Sequence, residues 1–85
     1  METRIAVISI IVELPQVVET LNAILHEYSS FIIGRMGLPY QAKTKKVNII
    51  SIAIDAPQNT ISTLAGKIGK LQGLSVKTAY SNVIG

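Results

Sequence analysis

The side chains that usually carry catalysis are scarce and scattered in this chain. It contains no cysteine and a single histidine, His26, on the polar side of a helical pattern. Nucleophilic catalysis needs a base beside a serine, cysteine or threonine, carboxylate catalysis needs two acids in one pocket, and a metal site needs clustered ligands. We therefore predict no enzyme, no metal site and no cofactor, because the five acidic residues are dispersed: Glu2, Glu13, Glu19, Glu27 and Asp55.

One short segment has the character of a binding site. Arg35 lies on an otherwise apolar strand between Gly34 and Gly37, two residues that allow a ligand or a second backbone to approach closely. We expect Arg35 to be buried, and a buried arginine usually has an anionic partner. That partner is either a carboxylate from a neighbouring subunit or a small anionic ligand.

Two amphipathic helices organise the chain around these residues. The first is entered at Pro15 and ends near Ser29, and the second is entered at Pro57 and closed by Gly73. Each has apolar residues at helical spacing. These are Val17, Val18, Leu21, Ile24, Leu25 and Tyr28 in the first helix, and Ile61, Leu64, Ala65, Ile68 and Leu71 in the second.

Four segments predict strands. They are residues 5–12, which are rich in β-branched residues, a segment from Phe31 toward Met36 or Leu38, residues 47–55, and residues 74–80, where Leu74, Val76, Thr78 and Tyr80 occupy alternate positions. Pro39 and the lysine-rich stretch after it predict a hairpin-like loop. The order strand, helix, strand, strand, helix, strand predicts one α+β domain over residues 1–85. We expect a ferredoxin-like βαββαβ fold, with a four-stranded antiparallel sheet and both helices on one face.

The predicted central strands are apolar on both faces. Ile50, Ile52 and Ile54 alternate with Val47, Ile49 and Ala53, and the first strand repeats this pattern. A sheet covered on one side should instead alternate apolar and polar residues. Burying about 400 Å² of the second face would contribute on the order of 10 kcal/mol before association costs. We therefore predict a homo-oligomer, a dimer or tetramer, whose sheets stack face to face or join at their edges.

Composition supports an assembly that is not in a membrane. The chain is 48% hydrophobic and 15% charged, whereas soluble proteins average roughly 25% charged residues. Its longest apolar stretch, residues 5–12, is far shorter than the roughly 20 residues of a membrane span. We expect a cytoplasmic protein. Lys43, Lys45 and Lys46 lack interleaved aromatics, so nucleic-acid binding is disfavoured.

Four segments together extend over most of the chain: HEYSSFIIGRMGLPY at residues 26–40, RIAVI at 4–8, LAGKIGK at 64–70 and GLSVKTA at 73–79. These segments resemble the family of iron-only hydrogenase system regulators. The resemblance implies an ACT-like fold related to the C-terminal sensing domain of the nickel-responsive repressor. That domain binds its metal through four ligands, and the position of only one of them is occupied by a metal-binding residue here, His26. The positions of the others are occupied by Gly37, Pro39 and a residue near Val47, which argues against a nickel site.

The resemblance also implies a regulatory role. We predict a ligand-sensing module whose subunits form a pocket near Gly34, Arg35, Gly37 and Tyr40, with His26 at its rim. Two alternatives stay open. One is a protein–protein interaction module without a small ligand, and the other is a weak nucleic-acid binder acting through the loop at residues 43–46.

Overall fold

The computed structural model describes residues 2–84, with side chains up to residue 83. Four strands form one antiparallel sheet in the order β2-β3-β1-β4, so β1 and β3 are central. This arrangement confirms the predicted ferredoxin-like fold. The elements are β1 (Arg4–Val12), α1 (Val18–Glu27), β2 (Ile32–Gln41), β3 (Lys46–Ala56), α2 (Gln58–Gly69) and β4 (Leu74–Ile84). Short 3-10 helices at Pro15–Val17 and Ser29–Phe31 flank α1.

The prediction of a loop at Pro39 is wrong, because Pro39 lies within β2 opposite Asn48 of β3. β2 is an edge strand, where a proline is tolerated if its nitrogen faces away from the sheet. The β2–β3 connection is therefore only residues 42–45, closed by a 2.7 Å hydrogen bond from the Ala42 N–H to the Lys45 carbonyl oxygen. The pairing register of β2 on β3 shifts between Ile32 and Gly34.

The expectation that Gly73 closes the second helix is also wrong. α2 ends at Gly69, and Gly73 lies in the turn before β4 with a φ of +80°. Its carbonyl oxygen accepts hydrogen bonds from the Glu13 and Leu14 N–H groups at 2.7 and 3.0 Å. Gly73 therefore joins the turn before β4 to the segment that follows β1.

The last strand is longer than the apolar alternation indicated, since β4 continues past Tyr80 to Ile84. Its pairing with β1 is irregular between Arg4 and Ala6. Arg4 stabilises this end of the sheet, because its guanidinium donates to the Ser81 carbonyl oxygen at 2.7 Å and lies 4.8 Å from the centroid of the Tyr80 ring.

The core lies between one face of the sheet and the two helices. Every second residue of the central strands is buried there, as the alternation predicted. Ile8 and Ile52 are cross-strand partners at its centre, and both are 0% exposed. The helices contribute Leu21 and Leu25 from α1 and Ile61, Leu64 and Ile68 from α2. Within residues 2–84, neither helix is long and apolar enough to cross a bilayer.

The opposite side of the sheet, which we call the open face, is apolar and exposed. The predicted second apolar set is therefore present. Met36 is 69% exposed and Leu38 59% exposed, whereas the central-strand residues Ile11 and Ile49 are 42% and 40% exposed. Neither helix covers this face. The other large apolar side chains on it are Ile5, Val7 and Tyr40.

Candidate functional site

A cleft runs between α1 and the edge strand β2, on the helix side of the sheet. Arg35 lies on that side because it is opposite Ile52, which is buried beneath the helices. Its Nη2 donates a 2.6 Å hydrogen bond to Oδ1 of Asn22 on α1. The contact joins an edge strand to a helix 13 residues earlier in the chain.

Two adjoining cavities of about 330 and 280 Å³ meet at Arg35. Their polar lining consists of the Arg35 guanidinium, the Asn22 and Asn48 amides, the Ser29 hydroxyl and His26. No carboxylate is among the described residues that line either cavity. The apolar lining comprises Val18, Leu25, Ile32, Gly37, Leu38, Pro39 and Ile50. A positively charged cleft with apolar walls suits a small anion that carries a hydrocarbon part.

The structure brings together three of the five residues predicted for the ligand pocket. Arg35, Gly37 and His26 line the cleft. Gly34 and Tyr40 are opposite Ala53 and Val47, and they lie on the open face. The predicted residues are divided between two faces because successive side chains of a strand point to opposite sides of the sheet. The predicted pocket combined residues from both sides of β2. The prediction also omitted Asn22. In the sequence, nothing distinguishes this residue from the other polar residues on the exposed side of α1.

Arg35 is exposed in the single chain, so the residues of its own chain do not bury its guanidinium. Its partner within the described residues is the neutral Asn22 amide. An amide oxygen satisfies one of the five guanidinium N–H donors and leaves the positive charge unpaired. The site can therefore accept an anion without first breaking an ion pair.

The two glycines that flank Arg35 are not required by the packing of the described chain. A Cβ built at Gly34 or Gly37 would meet no heavy atom within 4 Å. Neither has a positive φ, since Gly73 is the one such residue between residues 2 and 84. The space above both positions is therefore open to a ligand or to another chain.

The lysines are distributed over separate elements. Lys43 and Lys45 lie in the exposed β2–β3 connection, and Lys46 begins β3. On α2, the Lys67 ammonium lies 3.9 Å from Glu27 and 5.2 Å from the centroid of the Tyr28 ring. Its interaction with the Tyr28 hydroxyl, followed by attraction to the Glu27 carboxylate, raises the pKa of Lys67 above its ordinary value. Lys67 thus interacts with side chains at the end of α1.

A metal centre is not formed by the part of the chain that is described, where no three His, Cys, Asp or Glu side chains come together. His26 lines the second cavity with Asn22 and Ser29, and neither of these is a typical ligand of a transition metal.

Comparison with known proteins identifies the chain at the family level. The family model TM1266-like, which describes an iron-only hydrogenase system regulator, matches residues 4–78. No curated protein matches the chain. The uncharacterized protein TM1266 from Thermotoga maritima is similar in structure, with 29% sequence identity, a TM-score of 0.81, and coverage of 92% of this chain and 96% of that one.

Two more distant structures show the fold alone. The ACT domain of GTP pyrophosphokinase from Chlorobium tepidum is 17% identical with a TM-score of 0.60, over 95% of this chain and 89% of that one. The de novo designed protein Foldit4 is 18% identical with a TM-score of 0.59, over 98% of this chain and 99% of that one. The ACT-like fold expected from the sequence is therefore confirmed.

Proposed function

Because the chain belongs to the TM1266-like family of iron-only hydrogenase system regulators, we propose that it is a ligand-sensing regulatory module. In this proposal the module works as a homo-oligomer, and the α1–β2 cleft binds a small anion. The observation that carries the proposal is the Arg35 guanidinium, held by the neutral Asn22 amide in a cleft whose described lining residues include no carboxylate.

The chemical class of the ligand follows from the cleft lining. A guanidinium binds a carboxylate through two parallel N–H···O hydrogen bonds. The Asn48 amide and the Ser29 hydroxyl offer further donors in the adjoining cavities. Val18 and Ile50 give the larger cavity an apolar wall. A short carboxylic acid with a hydrocarbon tail matches this combination of one cation and aliphatic surface.

Sensing requires that the ligand bind two states of the protein with different affinity. The hydrogen bond between Arg35 and Asn22 joins β2 to α1 and defines one state. A carboxylate that takes over the Arg35 donors releases Asn22, which frees α1 from this contact. Ligand binding thus changes the restraint on the edge strand β2, and that change is the proposed signal.

Replacing Arg35 by alanine is expected to weaken binding of butyrate, a short carboxylate with an apolar tail, by about 10- to 100-fold. A hydrogen bond to a charged group contributes roughly 1.5–3 kcal/mol, and the variant also removes the positive charge. Backbone amide NMR shifts of α1 and β2 during a butyrate titration would measure the affinity. Inorganic phosphate, titrated in parallel, tests whether the apolar wall contributes to selectivity.

Lys70→Ala is the matched control, because it removes one positive charge from the exposed end of α2 and leaves both the cleft and the open face intact. It should bind butyrate as the wild type does. Equal butyrate affinities for wild type and Arg35→Ala would contradict the proposed site, as would shifts confined to residues outside α1 and β2.

A further inference from the structure

The open face is divided into rows of residues that run across all four strands. The first row is Gly34, Ala53, Val7 and Ala79, in the order β2-β3-β1-β4. The second is Met36, Ser51, Ser9 and Lys77, and the third is Leu38, Ile49, Ile11 and Ser75. Directly opposed residues on neighbouring strands share one face, so the three rows form one continuous surface.

The first and third rows differ in side-chain volume on the β2 and β3 strands. Gly34 and Ala53 in the first row leave a depression, and a cavity of about 380 Å³ lies over them beside Met36 and Ser51. The same two strands carry Leu38 and Ile49 in the third row, where both side chains are exposed. The face therefore has a small-residue end and a large-residue end along each of these strands.

We infer that this face is the contact surface between two copies of the chain, related by a two-fold axis that follows the second row. Such an axis places the third row of one copy over the first row of the other. Leu38 and Ile49 then fill the depressions above the partner copy's Gly34 and Ala53, twice per dimer. The inference rests on the homo-oligomer of the proposed function and specifies its interface.

The area of the face is sufficient for this contact. With strands about 4.8 Å apart and a rise of about 3.3 Å per residue, a four-stranded sheet of this length presents roughly 550 Å² per copy. Two copies would bury about 1,100 Å², which reaches the roughly 1,000 Å² expected of a specific interface. A second copy fits better than an unrelated protein, because the small and large rows that complement each other lie on the same surface.

The polar groups of the second row can be satisfied in this arrangement. The hydroxyls of Ser9 and Ser51 are cross-strand neighbours at the centre of the face, and near the axis they meet the same hydroxyls of the second copy. Serine hydroxyls both donate and accept, so they can pair with one another. Lys77 lies on the edge strand β4. The axis places it opposite the Lys77 of the second copy, and the two long side chains avoid each other by extending into water at the rim.

Gly34→Leu tests the interface directly. The leucine would occupy the depression that the partner copy's side chain needs. We therefore expect the dissociation constant of the oligomer, measured by sedimentation equilibrium, to rise about 10- to 100-fold. The monomer should keep its fold, since no heavy atom lies within 4 Å of a Cβ at this position. Circular dichroism would verify this. Gly66→Leu is the control, because Gly66 is equally open but lies on α2, and it should leave the dissociation constant unchanged.

The exchange variant Gly34→Leu/Leu38→Ala provides the decisive comparison. Leu38→Ala alone should also weaken association, whereas the double variant moves the large side chain to the other end of the strand. It should restore association to within about fivefold of wild type, because each new leucine faces the partner copy's alanine. Such recovery is not expected if either residue acts only through the fold of its own chain.

A wild-type oligomer that is unaffected by Gly34→Leu would overturn this interface and leave the homo-oligomer of the proposed function standing. A double variant weaker than either single variant would overturn the two-fold arrangement. A wild-type monomer would overturn both the interface and the oligomeric part of the proposed function. The loss of butyrate binding in Arg35→Ala is measured separately from these three results, because Arg35 lies on the other side of the sheet from the open face.

Discussion

Ile52→Ala is expected to lower the free energy of unfolding by about 3–5 kcal/mol. Ile52 is 0% exposed at the centre of the core, on a central strand and opposite Ile8. Truncation removes buried methyl and methylene groups and leaves a cavity that rigid neighbours fill only partly. A domain of this size has a total stability of roughly 4–13 kcal/mol, so the loss is a large fraction of it.

Urea denaturation followed by circular dichroism would measure this effect. Wild type and variant must be compared at one protein concentration, because association also stabilises the folded chain. Ile33→Ala is the matched control, since Ile33 is 61% exposed beside the irregularity of β2. It should cost less than about 0.5 kcal/mol. Equal losses for the two variants would contradict the described core.

Gly73→Ala is expected to destabilise the chain by about 2–4 kcal/mol, although it adds only one methyl group. The φ of +80° costs a non-glycine residue roughly 1–2 kcal/mol. In addition, a Cβ at residue 73 would lie 2.4 Å from Cγ and 2.5 Å from Cβ of Leu14. Because the Leu14 Cβ is fixed to the backbone, the turn must move, and overpacking of this kind costs about 1–3 kcal/mol.

Gly66→Ala is the natural comparison for Gly73→Ala. Gly66 lies inside α2, where a Cβ would meet no heavy atom within 4 Å, and alanine is favoured over glycine there by roughly 0.5–1 kcal/mol. The same substitution is therefore expected to stabilise at residue 66 and destabilise at residue 73. Thermal and urea unfolding of both variants would check the signs. A neutral or stabilising Gly73→Ala would show that the turn does not require a positive φ.

The architecture could be predicted from the sequence because both kinds of periodicity are strong. The alternation in residues 47–55 and the helical spacing from Val17 to Tyr28 leave few other arrangements. The apolar second face could also be predicted, because the central strands are apolar on both sides. Two helices on one side of the sheet bury only one of these two sets of side chains.

The boundaries of the strands and helices were predicted from local rules for proline and glycine. The tertiary structure overrides these rules at two positions. Pro39 predicted a loop, but an edge strand has no partner on its outer side and can include a proline. Gly73 predicted a helix end, whereas its positive φ serves the turn that contacts Glu13 and Leu14. A glycine shows that an unusual backbone conformation is allowed, and it does not show which element needs it.

The candidate site was only partly predictable for a related reason. The glycines around Arg35 indicated an approachable strand, but alternation divides them between the two faces of β2. Asn22 contacts Arg35 across 13 residues, and no spacing rule connects a helix surface residue to an edge strand. Such pairs become apparent only when the register of β2 on β3 is known.

β2 is the element that joins the two proposals. Arg35 and Gly37 face the cleft, while Gly34, Met36 and Leu38 of the same strand face the open surface. A ligand that releases Asn22 from Arg35 therefore acts on the strand that contributes Leu38 to the proposed interface. This proximity gives a physical route by which anion binding could change subunit packing.

Native mass spectrometry of the purified protein would distinguish a ligand-sensing homo-oligomer from a monomer. Denatured protein provides the control for the mass of one chain. We expect an even-numbered oligomer, with additional small-molecule mass if a bound anion survives purification. A monomer at micromolar concentration would contradict it, because the open face would then remain in contact with water.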